Sequence, residues 1–136
     1  VHTLRYFKEK KMADLELFDY FKGILDYEEG PIVICNIDYR IVYENPAAMN
    51  YYAPASPLTG KLLETLMDEE MLSKVRISVE WFKESIDNNR VFAFHDDKLN
   101  MDMYILAIRN AQNELIGFYG RREYRNPDTG KILDLD

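Results

Sequence analysis

Residues 41–52 read IVYENPAAMNYY. Ile41, Val42 and Tyr43 are β-branched or aromatic, the types that suit a pleated, half-buried strand. Asn45 then offers a side-chain oxygen to the free N–H groups of a first helical turn. Pro46 follows with its φ already fixed and no N–H to leave unsatisfied at the first helical position. A strand therefore passes directly into a helix, and that helix is short because Ala53-Pro54-Ala55-Ser56-Pro57 breaks it.

Upstream, residues 32–37 are apolar apart from Asn36, and Asp38-Tyr39-Arg40 forms a tight turn, so 32–37 and 41–43 predict a strand pair. Gly30-Pro31 closes a helix over residues 13–27, which can extend back toward Leu4. Leu17, Phe18, Phe21, Ile24 and Leu25 recur there at helical spacing, with Asp14, Asp19 and Lys22 off the stripe. Downstream, Thr59-Gly60 leads into one or two helical turns over 61–66. Asp68 caps the clearest helix, 68–86, whose face carries Met71, Val75, Val79, Phe82 and Ile86, widened by Leu72 and Trp81. Asp87-Asn88-Asn89 stops it. Three strands follow, at 91–95, 100–109 and 115–124, separated by hairpin loops at 96–98 and 110–113. Residues 126–130 make a turn before a short tail. The order predicts an α+β fold with a five-stranded antiparallel sheet. Its parts are an N-terminal helical extension (1–29), a domain (30–125) and a C-terminal turn and tail (126–136).

At 136 residues, 47% hydrophobic and 30% charged, the chain suits one folded domain without a metal or disulfide, and ten Tyr with seven Phe supply its core richly. Cys35 is the single cysteine, so no intramolecular disulfide forms and a reducing compartment, the cytoplasm, is expected. No apolar run approaches the ~20 residues of a membrane span, and no signal peptide is visible. Twenty-four acidic residues against seventeen basic ones give a net charge of −7. That balance disfavours nucleic acid and anionic membranes as partners.

The strand pair with Asp38 at its turn, the Asn45-Pro46-Ala47-Ala48 helix start, the step Thr59-Gly60-Lys61-Leu62-Leu63, the long helix and the three final strands together resemble a PAS domain over residues 30–124. The resemblance implies a sensory or protein-contact module, a small ligand or cofactor held between sheet and helices, and dimerisation through a helix ahead of the first strand. Output would come from a partner protein or from a longer parent chain.

The cofactors common in that family find little support. Haem-binding relatives use a histidine on the long helix, and residues 68–86 contain none; His95 sits beside Asp96 and Asp97 at a strand end. Flavin-adduct relatives place a reactive cysteine in an Asn-Cys-Arg motif, whereas Cys35 lies in the first strand with no cation beside it. Asp68-Glu69-Glu70 reads as the acidic start of a helix and Asp96-Asp97 as a solvated hairpin, so no metal site is expected. There is no nucleophile elbow, phosphate loop or Cys–His pair, so an enzyme is not expected.

Two expectations concern surfaces. The sheet reads as apolar on both faces, with Tyr104, Leu106 and Ile108 opposite Met103 and Ile105, so both faces need cover. The helices after the strand pair can cover one. The other falls to the N-terminal helix, either folded back in its own chain or in a homodimer through Leu17, Phe18, Phe21 and Leu25. On the inner face, Ile34, Val75, Val79, Phe82, Phe92, Phe94, Met103 and Ile105 either interlock as a filled core or line a small apolar cavity. Asn36, Tyr43 or Tyr104 would be its polar anchors. A small-molecule sensor, a pure interaction and dimerisation module, and a small enzyme are the three functional readings, in that order.

Overall fold

A computed structural model describes residues 2–135. The first element is helix α1 (His2–Asp26), followed by strands β1 (Val33–Asn36) and β2 (Ile41–Glu44). Helix α2 (Pro46–Tyr51), a single 3₁₀ turn at Leu63–Thr65 and helix α3 (Glu69–Glu84) follow, then strands β3 (Arg90–Asp96), β4 (Met101–Arg109) and β5 (Leu115–Tyr124). The five strands form one antiparallel sheet in the order β2-β1-β5-β4-β3.

The opening stretch folds as its chemistry dictates. Asn45 Oδ1 accepts the Ala48 N–H at 2.9 Å, and Pro46 begins α2. At the other end of the hairpin, Asn36 Oδ1 accepts the N–H groups of Asp38 and Arg40, which bends the turn around Tyr39 at φ 63°. Asp68 caps α3 by accepting from Met71 N at 2.9 Å. The far end of α3 is held by a side chain remote in sequence. Arg109 on β4 donates to the carbonyls of Phe82, Ser85 and Asn88 and to Asn89 Oδ1. A cation at the negative end of a helix dipole is favourable in itself, and here it also satisfies carbonyls that the helix leaves free.

The core lies between the inner sheet face and α3. Leu72, Val75, Val79 and Phe82 of α3 are buried against Cys35, Ile41, Leu58, Leu63, Ile105 and Phe118. Ile86, expected on the same face, lies beyond the helix end and is exposed. The sheet closes tightly where β1 meets β5. A Cβ on Gly117 would stand 2.2 Å from the Cys35 carbonyl oxygen, so only glycine fits there.

The other sheet face differs. Ile34, Tyr43, Tyr104, Leu106 and Tyr119 lie on it by strand register and alternation. Tyr104 is covered by Arg90, 4.0 Å from its ring centroid, and by Phe92. Phe92 itself is 58% exposed. Helix α1 reaches this side of the sheet only through its last turn. None of its residues is buried, and only Gly23, Leu25 and Asp26 are partly covered.

Candidate functional site

A small cavity of about 50 Å³ lies between the inner sheet face and the helices. Val33 and Cys35 of β1, Met103 and Ile105 of β4 and Phe118 of β5 form its sheet wall. Leu63, Leu66, Met67, Met71 and Val75 form its helical wall. The mouth owes its position to unequal strand lengths. β1 pairs with β5 only as far as Ile34 opposite Tyr119, while β5 runs on to Tyr124. Past that point the edge of β5 is covered only by the chain around Pro31, and Pro31, Tyr52, Tyr119, Gly120 and Arg122 line the opening.

Arg122 is the one charged side chain of this lining. Its Nη2 donates to Tyr52 Oη at 3.2 Å, its Nη1 donates weakly to the Pro31 carbonyl at 3.4 Å, and its guanidinium lies 4.6 Å from the Tyr51 ring centroid. Cys35 lies deeper in the wall. Burial pushes its thiol up to about 12, so it stays protonated and unreactive at neutral pH.

Of the residues expected at a cavity, Val75, Met103 and Ile105 line it together. Val79 and Phe82 are fully buried behind it as packed core. Ile34, Tyr43 and Tyr104 lie on the opposite sheet face, because β1 and β4 present Cys35, Met103 and Ile105 inward. Asn36 is spent on the β1–β2 turn. Phe92 and Phe94, expected on one face, are separated by a bulge in β3. Phe92 pairs with Tyr104 and Phe94 with Met103, which puts them on opposite sides. Phe94 faces α3, where the Lys74 ammonium stands 5.9 Å from its ring centroid. Sequence reasoning passed over Arg122, although Phe118, Gly120 and Arg122 alternate onto one face of β5.

A joint connects this cavity to α1. Asn45 is fully buried, and its amide uses every bonding position it has. Oδ1 accepts from Ile32 N at 2.8 Å as well as from Ala48 N, and Nδ2 donates to the carbonyls of Leu25 and Gly30 at 3.1 and 3.0 Å. One side chain thus caps the start of α2, holds the end of α1 and fixes the segment on either side of Pro31. A second tie is Tyr43 Oη, which donates to Asp26 Oδ1 at 2.5 Å. Bonds from Lys22 and then Tyr43 hold the Asp26 carboxyl below the ordinary carboxylate range. Burial, and then the bond to Asp26, raises the Tyr43 hydroxyl above the usual tyrosine value.

On the outer side, His95 Nδ1 lies 2.6 Å from Asp102 Oδ1, and Arg125 donates to Asp102 Oδ2 and Tyr104 Oη at 2.9 Å each. Among the described residues, no group of three or more His, Cys, Asp or Glu could hold a metal ion. Nor is any described helix long and apolar enough to cross a membrane.

No protein-family model matches the chain, and no curated protein does. Solved structures do. A C-terminal domain from Streptococcus mutans matches with a TM-score of 0.58 at 21% identity, over 76% of this chain and 81% of that one. The PAS domain of BvgS from Bordetella pertussis matches with 0.55 at 15% identity, over 82% and 88%. The histidine kinase ThkA, in complex with the response regulator protein TrrA, matches with 0.54 at 23% identity, over 76% of this chain and 31% of that one. At these identities the likeness is one of fold, and the fold is that of the PAS domains.

Proposed function

We propose that this chain, which has the PAS fold, is a sensory module that forms a homodimer through α1 and responds to a small molecule in the cavity between sheet and helices. The observation that carries the proposal is the state of α1. It is 25 residues long with no residue buried, and its stripe of Leu17, Phe18, Phe21 and Leu25 faces nothing but solvent apart from partly covered Leu25. Its ion pairs, Arg5–Glu9 and Lys22–Asp26, are i,i+4 contacts at the helix surface and add little to its stability. A long helix in water is stabilised mainly by packing its apolar face. A second copy supplies that packing, together with cover for Phe92 and its neighbours on the outer sheet face.

The cavity supports the sensing half. It is too small for haem or a flavin, so neither is part of the proposal, and the inert Cys35 argues the same way. No catalytic role is proposed. The chain is read as cytoplasmic from its single free cysteine, with neither nucleic acid nor membrane as a partner. The match to ThkA, solved with a response regulator, favours a signalling protein as the recipient of the output. The second reading, an interaction and dimerisation module with a filled core, draws on the smallness of the cavity.

Native mass spectrometry of the purified protein, with a search for small molecules released on denaturation, separates the two. A dimer carrying a stoichiometric small molecule is the expected result. An empty dimer that takes up no small molecule favours the interaction module, and a monomer contradicts both.

A further inference from the structure

We propose that the ligand of this cavity is a short aliphatic monocarboxylate, its tail among Met67, Met71 and Met103 and its head on the guanidinium of Arg122. This rests on the ligand-sensing reading and gives that site its chemistry.

Arg122 is the one arginine that lines the cavity. Arg40 donates to the Gly60 carbonyl and Arg90 lies over the Tyr104 ring on the outer sheet face, both away from it. Arg5, Arg76, Arg121 and Arg125 each pair with a carboxylate, and Arg109 is saturated by carbonyls and an amide. Arg122 pairs with no carboxylate among the described residues, although the protein is acidic overall. Its fork holds one phenol oxygen and one distant carbonyl, which leaves donor capacity for an anion. It is also partly buried at the rim of an apolar space, where a charge-assisted bond is stronger than in open solvent.

The rest of the site narrows the anion. A guanidinium matches a planar carboxylate with two parallel N–H···O bonds, and the Tyr52 hydroxyl lies beside it to complete the head site. The remaining lining is apolar save for Tyr119 and the protonated Cys35. A second negative charge, as in a dicarboxylate or phosphate ester, would meet no counter-charge within the cavity. At roughly 10–15 Å³ per water-sized group, about 50 Å³ holds a tail of roughly three to five carbon atoms. Methionine walls adapt to small differences in tail shape.

The same geometry gives occupancy a path to α1. Arg122 bonds the carbonyl of Pro31, and Pro31 lies between the two backbone groups, Gly30 C=O and Ile32 N–H, that Asn45 holds together with the Leu25 carbonyl of α1. A carboxylate that turns the guanidinium inward releases the Pro31 end of this chain of bonds.

Isothermal titration of the full chain with sodium hexanoate and with 1-hexanol tests the proposal, since the two share a tail and differ in the head. Hexanoate is expected to bind at least tenfold more tightly. Arg122→Gln is expected to abolish that preference while hexanol still binds, and Tyr52→Phe to reduce it several-fold. Should Arg122→Gln fold poorly, Arg122→Lys, which keeps the charge without the fork, is expected to weaken the preference. Hexanol binding as tightly as hexanoate, or a preference that survives loss of Arg122, overturns the carboxylate assignment and leaves an apolar-ligand sensor standing. If neither compound binds at millimolar concentration, the carboxylate assignment is overturned. If, in addition, no small molecule is released from the native protein, the sensing reading falls with it.

Discussion

Helices α3 and α1 are both amphipathic, yet they meet opposite fates within one chain. α3 buries Leu72, Val75, Val79 and Phe82 under the sheet, is capped by Asp68 and is closed at its end by Arg109. α1 is nine residues longer, carries at least as many large apolar side chains, and buries none of them. Its contact with the domain is concentrated in one turn, through Asn45 and Tyr43. The difference separates two kinds of apolar surface. That of α3 is satisfied by the chain's own sheet. That of α1, with the outer face around Phe92, is left over and calls for a second molecule.

The largest effect is expected where the chain is self-sufficient. Phe82→Ala removes a fully buried ring from the α3 core and should cost about 3–5 kcal/mol of domain stability. Chemical denaturation followed by the fluorescence of neighbouring Trp81 measures it. A cost below 1 kcal/mol would mean that α3 is not the principal cover of the sheet.

The joint comes next. Asn45→Asp keeps the oxygen that caps α2 but replaces the two N–H bonds to Leu25 and Gly30 with a carboxylate facing their carbonyls. A loss of about 2–3 kcal/mol follows from unsatisfied buried acceptors. Hydrogen exchange should rise in residues 23–32 while α2 keeps its protection. Equal loosening of both would show that the amide does not connect α1 to the domain.

The smallest effect concerns acid. The folded-state pKa of Asp26 is depressed, so its contribution to stability is present above the ordinary carboxylate range and disappears as pH falls through the lowered value. Thermal melts of the native protein and Asp26→Asn should differ at neutral pH and converge below that range. A constant difference across the titration would detach this carboxylate from the anchoring of α1. Asp102, lowered by the bonds from His95 and then Arg125, adds to the same acid limb.

Much of this was legible in the sequence because it depends on neighbours along the chain. Asn45-Pro46 declares a helix start, the Asp68 cap and its periodic stripe declare α3, and residues 110–113 leave β5 to begin where expected, at Leu115. What was not legible depends on distant partners. The bulge that turns Phe92 outward exists only relative to β4, so simple alternation placed it beside Phe94 on the wrong face. Helix α1 runs back to His2 through a lysine-rich stretch that blurs its stripe. The second half of Asn45's bonding, to Leu25 and Gly30, requires the end of α1 to come back to the hairpin. The cavity mouth draws Pro31, Tyr52 and Arg122 from three separate segments, and no spacing between them announces the site.

The claim that α1 awaits a second copy is tested most directly by sedimentation equilibrium of the native protein beside Phe18→Glu/Phe21→Glu. Both substituted rings are exposed, so the variant domain should unfold as the native domain does when compared at concentrations where each is monomeric. The predicted result is a native mass twice that of the chain and a variant mass equal to it. A native protein that stays monomeric at high concentration, or a variant that stays dimeric, would contradict the claim.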